Sequence, residues 1–292
     1  MKQRYWLCNF TLLFIGFLLL SGCAPHFSVD RIQFVNSEPN SHLEQEVMLE
    51  RISRALLTNY FNRKERAGLY FERGVIYDSL GLWELARRDF EKAIRTDNRL
   101  VGAYNYLGLY ALLAQDYERT VEIFNLLLDI DPQYSYAFLN RGLAFYYAQR
   151  YHLAEQDFLQ FYQRNKSDPY AVLWLYWNDL KRNPKTAKDL LQQRVEMLDD
   201  SLWGTTLAQY FLGKYSVNQL QELVAQFAKG EPSKYAEVLT ETYFYLAKQQ
   251  LNLSQMEQAK LLFKWAIANH IYNFVEYRFA LFELMKLNQS NK

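Results

Sequence analysis

Tyr70-Phe71-Glu72-Arg73-Gly74-Val75-Ile76-Tyr77 returns in altered form as Tyr104-Asn105-Tyr106-Leu107-Gly108 and again as Phe138-Leu139-Asn140-Arg141-Gly142. The three glycines stand 34 residues apart. A fixed period of this length marks a stacked array, because a unit of that size cannot bury its apolar face alone and must share a core with its neighbours. Within each unit the apolar residues recur at helical spacing in two blocks, so each unit reads as two antiparallel helices. The small residue in the first block lets those helices approach, and large side chains fill the space around the contact.

The pattern resembles the tetratricopeptide repeat. With each glycine at position 8, the repeat at 67–100 carries Tyr70, Gly74, Tyr77, Ala86, Phe90 and Ala93. The repeat at 101–134 carries Tyr104, Leu107, Gly108, Phe124 and a closing Pro132, and that at 135–168 carries Phe138, Gly142, Phe145, Ala154 and Phe158. A fourth copy at 240–273 has Tyr243, Leu246, Ala247, Ala259, Phe263 and Ala266 at equivalent positions. Between them, 169–239 is read as two degenerate helical pairs, with Ser216 and Gln219 forming a capping box. Ser254 with Glu257 is read as a second box opening the last helix of the fourth repeat, and Ser41 with Glu44 as a third. The segment 42–66 is an N-terminal amphipathic helix with Leu43, Val47, Ile52 and Leu56 on one face. It has no sequence partner and must dock on its own solenoid or pair with a second subunit. Residues 274–292 read as a C-terminal helix capping the open end, plus a tail. The fold expected is all-α: a tetratricopeptide-repeat helical solenoid with additional N-terminal, middle and C-terminal helices.

The start of the chain is of another kind. Lys2 and Arg4 precede an apolar run, Trp6 to Leu20, that ends in Leu20-Ser21-Gly22-Cys23. The run is shorter than the roughly 20 residues a comfortable membrane span needs, and small residues stand before the cysteine as a signal peptidase requires. This resembles the bacterial lipobox, which implies a signal peptide at 1–22, lipid attachment at Cys23 and a tether over 23–41. Ala24 in place of an aspartate favours the outer membrane over the inner one by the same resemblance. Of the two cysteines, Cys8 leaves with the peptide and Cys23 is modified. The mature protein then has no thiol for a disulfide, a thiolate nucleophile or a cysteine metal site.

Composition narrows the function. A net charge of +1 over 292 residues offers no basic face for nucleic acid. The four histidines, His26, His42, His152 and His270, stand far apart and fit no metal motif. There is no G-x-S-x-G elbow, no S-x-x-K pair and no phosphate-binding glycine loop. No cofactor and no metal are expected, and the chain is read as a non-enzyme. A carboxylate pair drawn from separate segments stays open as a cell-wall hydrolase reading. In this repeat family the first helix of each unit lines a concave groove through positions 2, 5, 9, 12 and 13. These are Phe71, Val75 and Asp78, then Asn105, Leu109 and Leu112, then Tyr136, Leu139, Leu143, Tyr146 and Tyr147. Such an apolar and aromatic lining marks either a partner-binding groove or a face covered by the chain's own helices, 42–60 or 275–287. The lining is read as a partner-binding groove.

Longer strings carry a closer resemblance: Tyr70–Gly81 (YFERGVIYDSLG), Leu139–Tyr147 (LNRGLAFYY), Ala154–Asp157 (AEQD), Glu241–Lys248 (ETYFYLAK) and Asn273–Leu281 (NFVEYRFAL). With them the chain resembles the NlpI-type outer-membrane lipoproteins of Gram-negative bacteria over nearly all of the mature sequence. That resemblance implies a homodimeric, periplasm-facing adaptor that holds a tail-specific protease, presents murein endopeptidases and scaffolds other peptidoglycan enzymes in cell-wall remodelling and division. The rival within binding proteins is an assembly factor, a pilotin or a component of outer-membrane protein insertion.

Overall fold

The computed structural model describes residues 43–289, and among them every regular element is a helix. The signal peptide, Cys23, the tether and Ser41 lie outside the described residues. Helix α1 spans Leu43–Leu57, and three hairpins follow: α2 Arg63–Ser79 with α3 Trp83–Thr96, α4 Val101–Leu113 with α5 Tyr117–Ile130, and α6 Ser135–Tyr147 with α7 Tyr151–Arg164. The middle holds α8 Pro169–Arg182 with α9 Ala187–Val195, and α10 Trp203–Leu212 with α11 Val217–Ala228. The last hairpin is α12 Pro232–Asn252 with α13 Met256–Ala268, and α14 Val275–Gln289 ends the described chain.

The hairpins close as their spacing predicts. A Cβ placed on Gly74, Gly108 or Gly142 would lie 2.7, 2.6 or 2.7 Å from the ring of Phe90, Phe124 or Phe158, so only glycine lets each ring seat against the first helix. Each turn is also the same. Gly81, Gln115, Gln149 and Ser254 adopt left-handed φ of 75°, 63°, 61° and 60°. The next amide in each case reaches back to the last turn, from Leu82 to Tyr77, Asp116 to Ala111, Arg150 to Phe145 and Gln255 to Gln250. This is the Schellman ending. In the first and third repeats an arginine at position 7 grips an aspartate at position 23, Arg73 with Asp89 and Arg141 with Asp157, where the second repeat has Leu107 and Ile123.

The capping box at Ser216 and Gln219 is formed, and a further one, Asn62 with Glu65, opens α2. The box expected at Ser254 is not formed: α13 starts after Gln255 with no side-chain cap. Ser254 occupies the left-handed turn position, which turns its hydroxyl away from the role of cap. Two boundaries also differ. The segment 42–66 is α1, a short connection and the first turn of α2, and α12 begins at Pro232, ahead of the repeat frame at 240. Helix α1 docks on α2 through buried Ile52, while Leu43 and Val47 face outward and Leu56 is half-buried. Helix α8 is the spine of the molecule, every residue from Ala171 to Asp179 being buried.

Candidate functional site

Helix α14 does more than cap the end of the stack. It turns back across the inner helices and lies against α4, α12 and α13. At its first turns Arg278 Nη2 pairs with Asp78 of the first repeat, both side chains 3% exposed. The hydroxyl of Tyr110 donates to the other Asp78 oxygen at 2.5 Å, and Arg278 Nε donates to the carbonyl of Tyr272 at 2.8 Å. At the next position, Phe279 stacks on Tyr147 with centroids 5.7 Å apart and meets Trp174 of α8 edge-on at 6.1 Å. Phe282 meets Tyr147 edge-on at 4.7 Å. Glu283 then accepts from Lys248 Nζ at 2.7 Å and from the Tyr147 hydroxyl at 3.0 Å.

The electrostatics of this contact follow from burial. Burial and then Asp78 push the Tyr110 hydroxyl up, so it stays a donor. Burial and then Glu283 do the same to Tyr147. Burial works against the Lys248 ammonium, but Glu283 and Tyr146 more than offset it and raise its pKa. That ammonium also sits 5.0 Å from the Tyr146 ring centroid and 5.1 Å from that of Tyr147, a cation held by two aromatic faces and a carboxylate.

The groove residues expected from the repeat frame are therefore corrected. Asp78, Leu109, Leu112, Leu143, Tyr146 and Tyr147 are buried and do not line an open trough. Asp78 and Tyr147 are covered by α14 itself, and Tyr146 packs edge-on against Tyr147 and Trp174. Phe71 and Val75 are half-buried in the core of the first repeat beside Phe90. Asn105 accepts from Asn140 Nδ2 at 2.9 Å, Leu139 is half-buried, and Tyr136 alone of the set is exposed, at 54%. Reading the repeat frame missed Tyr110, Lys248, Arg278 and Glu283. One signal for them was available: Arg278 and Glu283 interrupt the apolar face made by Phe279 and Phe282.

Two further features complete the picture. An open cleft of about 710 Å³ lies between α10, α11 and the start of α12, lined by Trp203, Tyr215, Phe227, Lys214 and Lys234. Two of its three lysines are engaged: Lys214 Nζ donates to Gln209 Oε1 at 3.1 Å and Lys234 pairs with Glu237 at 3.3 Å. Glu241 of α12 and Glu276 of α14 form a pair of carboxylates, accepting from the Tyr170 hydroxyl at 2.5 Å and the Tyr245 hydroxyl at 3.4 Å. Burial raises both carboxyls, and Glu276 pushes Glu241 up further. Neither glutamate lines that cleft. Among the described residues, no three His, Cys, Asp or Glu side chains come together as a metal site, and no helix is long and apolar enough to cross a membrane.

No protein-family profile matches the chain. Among solved structures it is similar to the Rap conjugation gene regulator of plasmid pLS20 in complex with the Phr* peptide, with a TM-score of 0.55, 12% identity and 84% of this chain and 72% of that one covered. A tetratricopeptide repeat protein from Parabacteroides merdae is similar with a TM-score of 0.52, 21% identity, and 85% of this chain and 94% of that one covered. At those identities the likeness is one of fold, and the fold is the tetratricopeptide solenoid. A curated relative is far nearer: the lipoprotein NlpI homolog of Haemophilus influenzae is 52% identical over 274 residues, covering 92% of this chain and 87% of its own length. Identity of that extent over nine-tenths of the sequence means that the chain belongs to the NlpI lipoprotein family.

Proposed function

We propose that the protein is a non-enzymatic adaptor, held at the periplasmic face of the outer membrane through acyl groups on Cys23. In this reading it brings a tail-specific protease together with murein endopeptidases or other peptidoglycan enzymes and so regulates cell-wall remodelling and division. The observation that carries the reading is the repeat stack itself, whose inner face grips a helix through paired charges and aromatic rings rather than enclosing a reaction chamber. Membership of the lipoprotein family supports the anchor, and two or more acyl chains give stable attachment where one does not. Tethering enzyme and substrate to one scaffold raises their effective concentration for each other without any chemistry by the scaffold. The outward apolar residues of α1, Leu43, Val47, Met48 and Leu57, support a homodimer in which those faces meet.

The test is affinity capture from periplasmic extract with the soluble mature chain. Recovery of a tail-specific protease together with a murein endopeptidase supports the adaptor reading. Recovery of neither, from a bait that is folded by circular dichroism, refutes it. Release of soluble muropeptides from purified sacculi by the protein alone would overturn the non-enzymatic part.

A further inference from the structure

We infer that α14 is a resident, displaceable occupant of a helix-binding face, and that a partner protein enters by presenting a helix of the same chemistry. That chemistry is an arginine followed directly by a phenylalanine, with a second phenylalanine and an acid four and five positions after the arginine. The inference rests on the adaptor reading and assigns its binding surface.

The contact is built for recognition. Four charged side chains, Asp78, Arg278, Lys248 and Glu283, are each no more than 6% exposed at one helix-to-face contact. Buried ion pairs add little net stability compared with well-packed apolar residues, and their best-attested use is to set register and partner identity. A helix and face meant only to close the core could do as well with apolar residues at all four positions, 78, 248, 278 and 283. The aromatic seat agrees, because Tyr147 receives both phenylalanines and Trp174 receives Phe279, while the Tyr147 hydroxyl reads the acid.

Two buried clusters of the stack are built without the occupant, although Phe279 and Phe282 are themselves fully buried. The core of the first repeat and the start of the second is Ala86, Phe90, Ala93, Ala103 and Tyr110, and that between the second and third is Phe124, Leu127 and Ala137. Neither includes a residue of α14. On departure of α14, water can hydrate Asp78, Lys248 and the Tyr110 and Tyr147 hydroxyls, which limits the cost of exposing the face. The link from α13 is short and turns on His270 at a left-handed φ of 54°, so one connection suffices as a hinge.

The experiment is amide hydrogen exchange on the full chain in detergent, with a synthetic isotope-labelled peptide of sequence Val275–Gln289 as competitor. In the free protein, α14 amides are expected to exchange as a group at least tenfold faster than those of α4 and α6. Saturating peptide is expected to raise α14 exchange a further tenfold and leave α4 and α6 protected. A control peptide with alanine in place of Arg278, Phe279 and Phe282 is expected to do nothing. The inference is overturned if α14 exchanges only with α4 and α6, if the peptide has no effect, or if the control peptide acts equally. Protection of α14 that rises with protein concentration would make a second copy the occupant and also overturn it. Failure here leaves the affinity capture result standing, and failed capture leaves peptide displacement intact, so the two readings fail separately.

Discussion

Asp78→Ala is the perturbation that tests the closure of the solenoid most directly. Asp78 and Arg278 lie 200 positions apart in sequence, and each is 3% exposed. Removing the aspartate leaves a guanidinium with one remaining acceptor at hand, the Tyr272 carbonyl, and leaves the Tyr110 hydroxyl without its partner. Stranding one member of a buried pair costs about 3–5 kcal/mol. At 1.4 kcal/mol per factor of ten, that is a loss of roughly two to three and a half orders of magnitude in α14 protection. For a unit of this size each kcal/mol moves the melting temperature by roughly 2–4 °C, until α14 lets go and the loss saturates. Replacing both partners, Asp78→Leu with Arg278→Met, removes the stranded charge and is expected to return part of the stability, to within about 1–3 kcal/mol of the parent, the remainder being the Tyr110 hydroxyl left without an acceptor. The assays are urea denaturation followed by far-UV circular dichroism and amide exchange of α14. The reasoning is refuted if Asp78→Ala costs under ~1 kcal/mol with α14 protection unchanged, or if the double variant is worse than both singles.

Three other outcomes are open to measurement. Gly108→Ala puts a Cβ 2.6 Å from the fully buried Phe124 ring, so overpacking of about 1–3 kcal/mol exceeds the ~1 kcal/mol gain in helix propensity. Gly68→Ala, with no atom within 4 Å, should instead stabilise by about 0.5–1 kcal/mol, and equal urea midpoints for the two would be incompatible with the hairpin packing. The Glu241 carboxyl is pushed up from 4.5 to about 8 by burial, then by Glu276, against the pull of Tyr170 and Lys234, with Glu237 adding to the push. Burial raises Glu276 likewise, with Tyr245 opposing. The native state thus holds protons that the unfolded chain has released, and stability is full below about pH 4.5 at this pair and is lost as pH rises to about 8. Thermal midpoints should fall from pH 5.5 to pH 8, and Glu241→Gln should flatten that fall; a midpoint that climbs over this range in the parent contradicts the assignment. On α1, Val47→Glu with Met48→Glu should convert a dimer to a monomer in sedimentation without loss of helicity. Unchanged mass would remove α1 from the interface.

The repeats were legible because their determinants are local. Gly74, Gly108 and Gly142 each meet a phenylalanine 16 positions later in the same hairpin, so residue type and spacing state the contact outright. The same holds for the capping box at Ser216, whose partners are three residues apart. Ser254 was misread because a box motif and a left-handed turn position compete for the same residue, and the turn won. The open groove was misread for a different reason. A repeat frame tells which residues face inward, and it names Asp78, Leu143, Tyr146 and Tyr147 correctly in that sense, yet it is silent on what else comes to lie there.

The sequence by itself determined the helical hairpins and their stacking order and, through Leu20–Cys23, set the expectation of an anchor. Each of these depends on residues within one period or one short motif. Tertiary structure alone decided that α14 crosses the inner face to pair Arg278 with Asp78 and to seat Phe279 and Phe282 on Tyr147. The physical reason is the range of the interaction. An amphipathic helix announces that it must bury a face, but where it does so depends on the curvature summed over every preceding hairpin, and no local pattern records that sum.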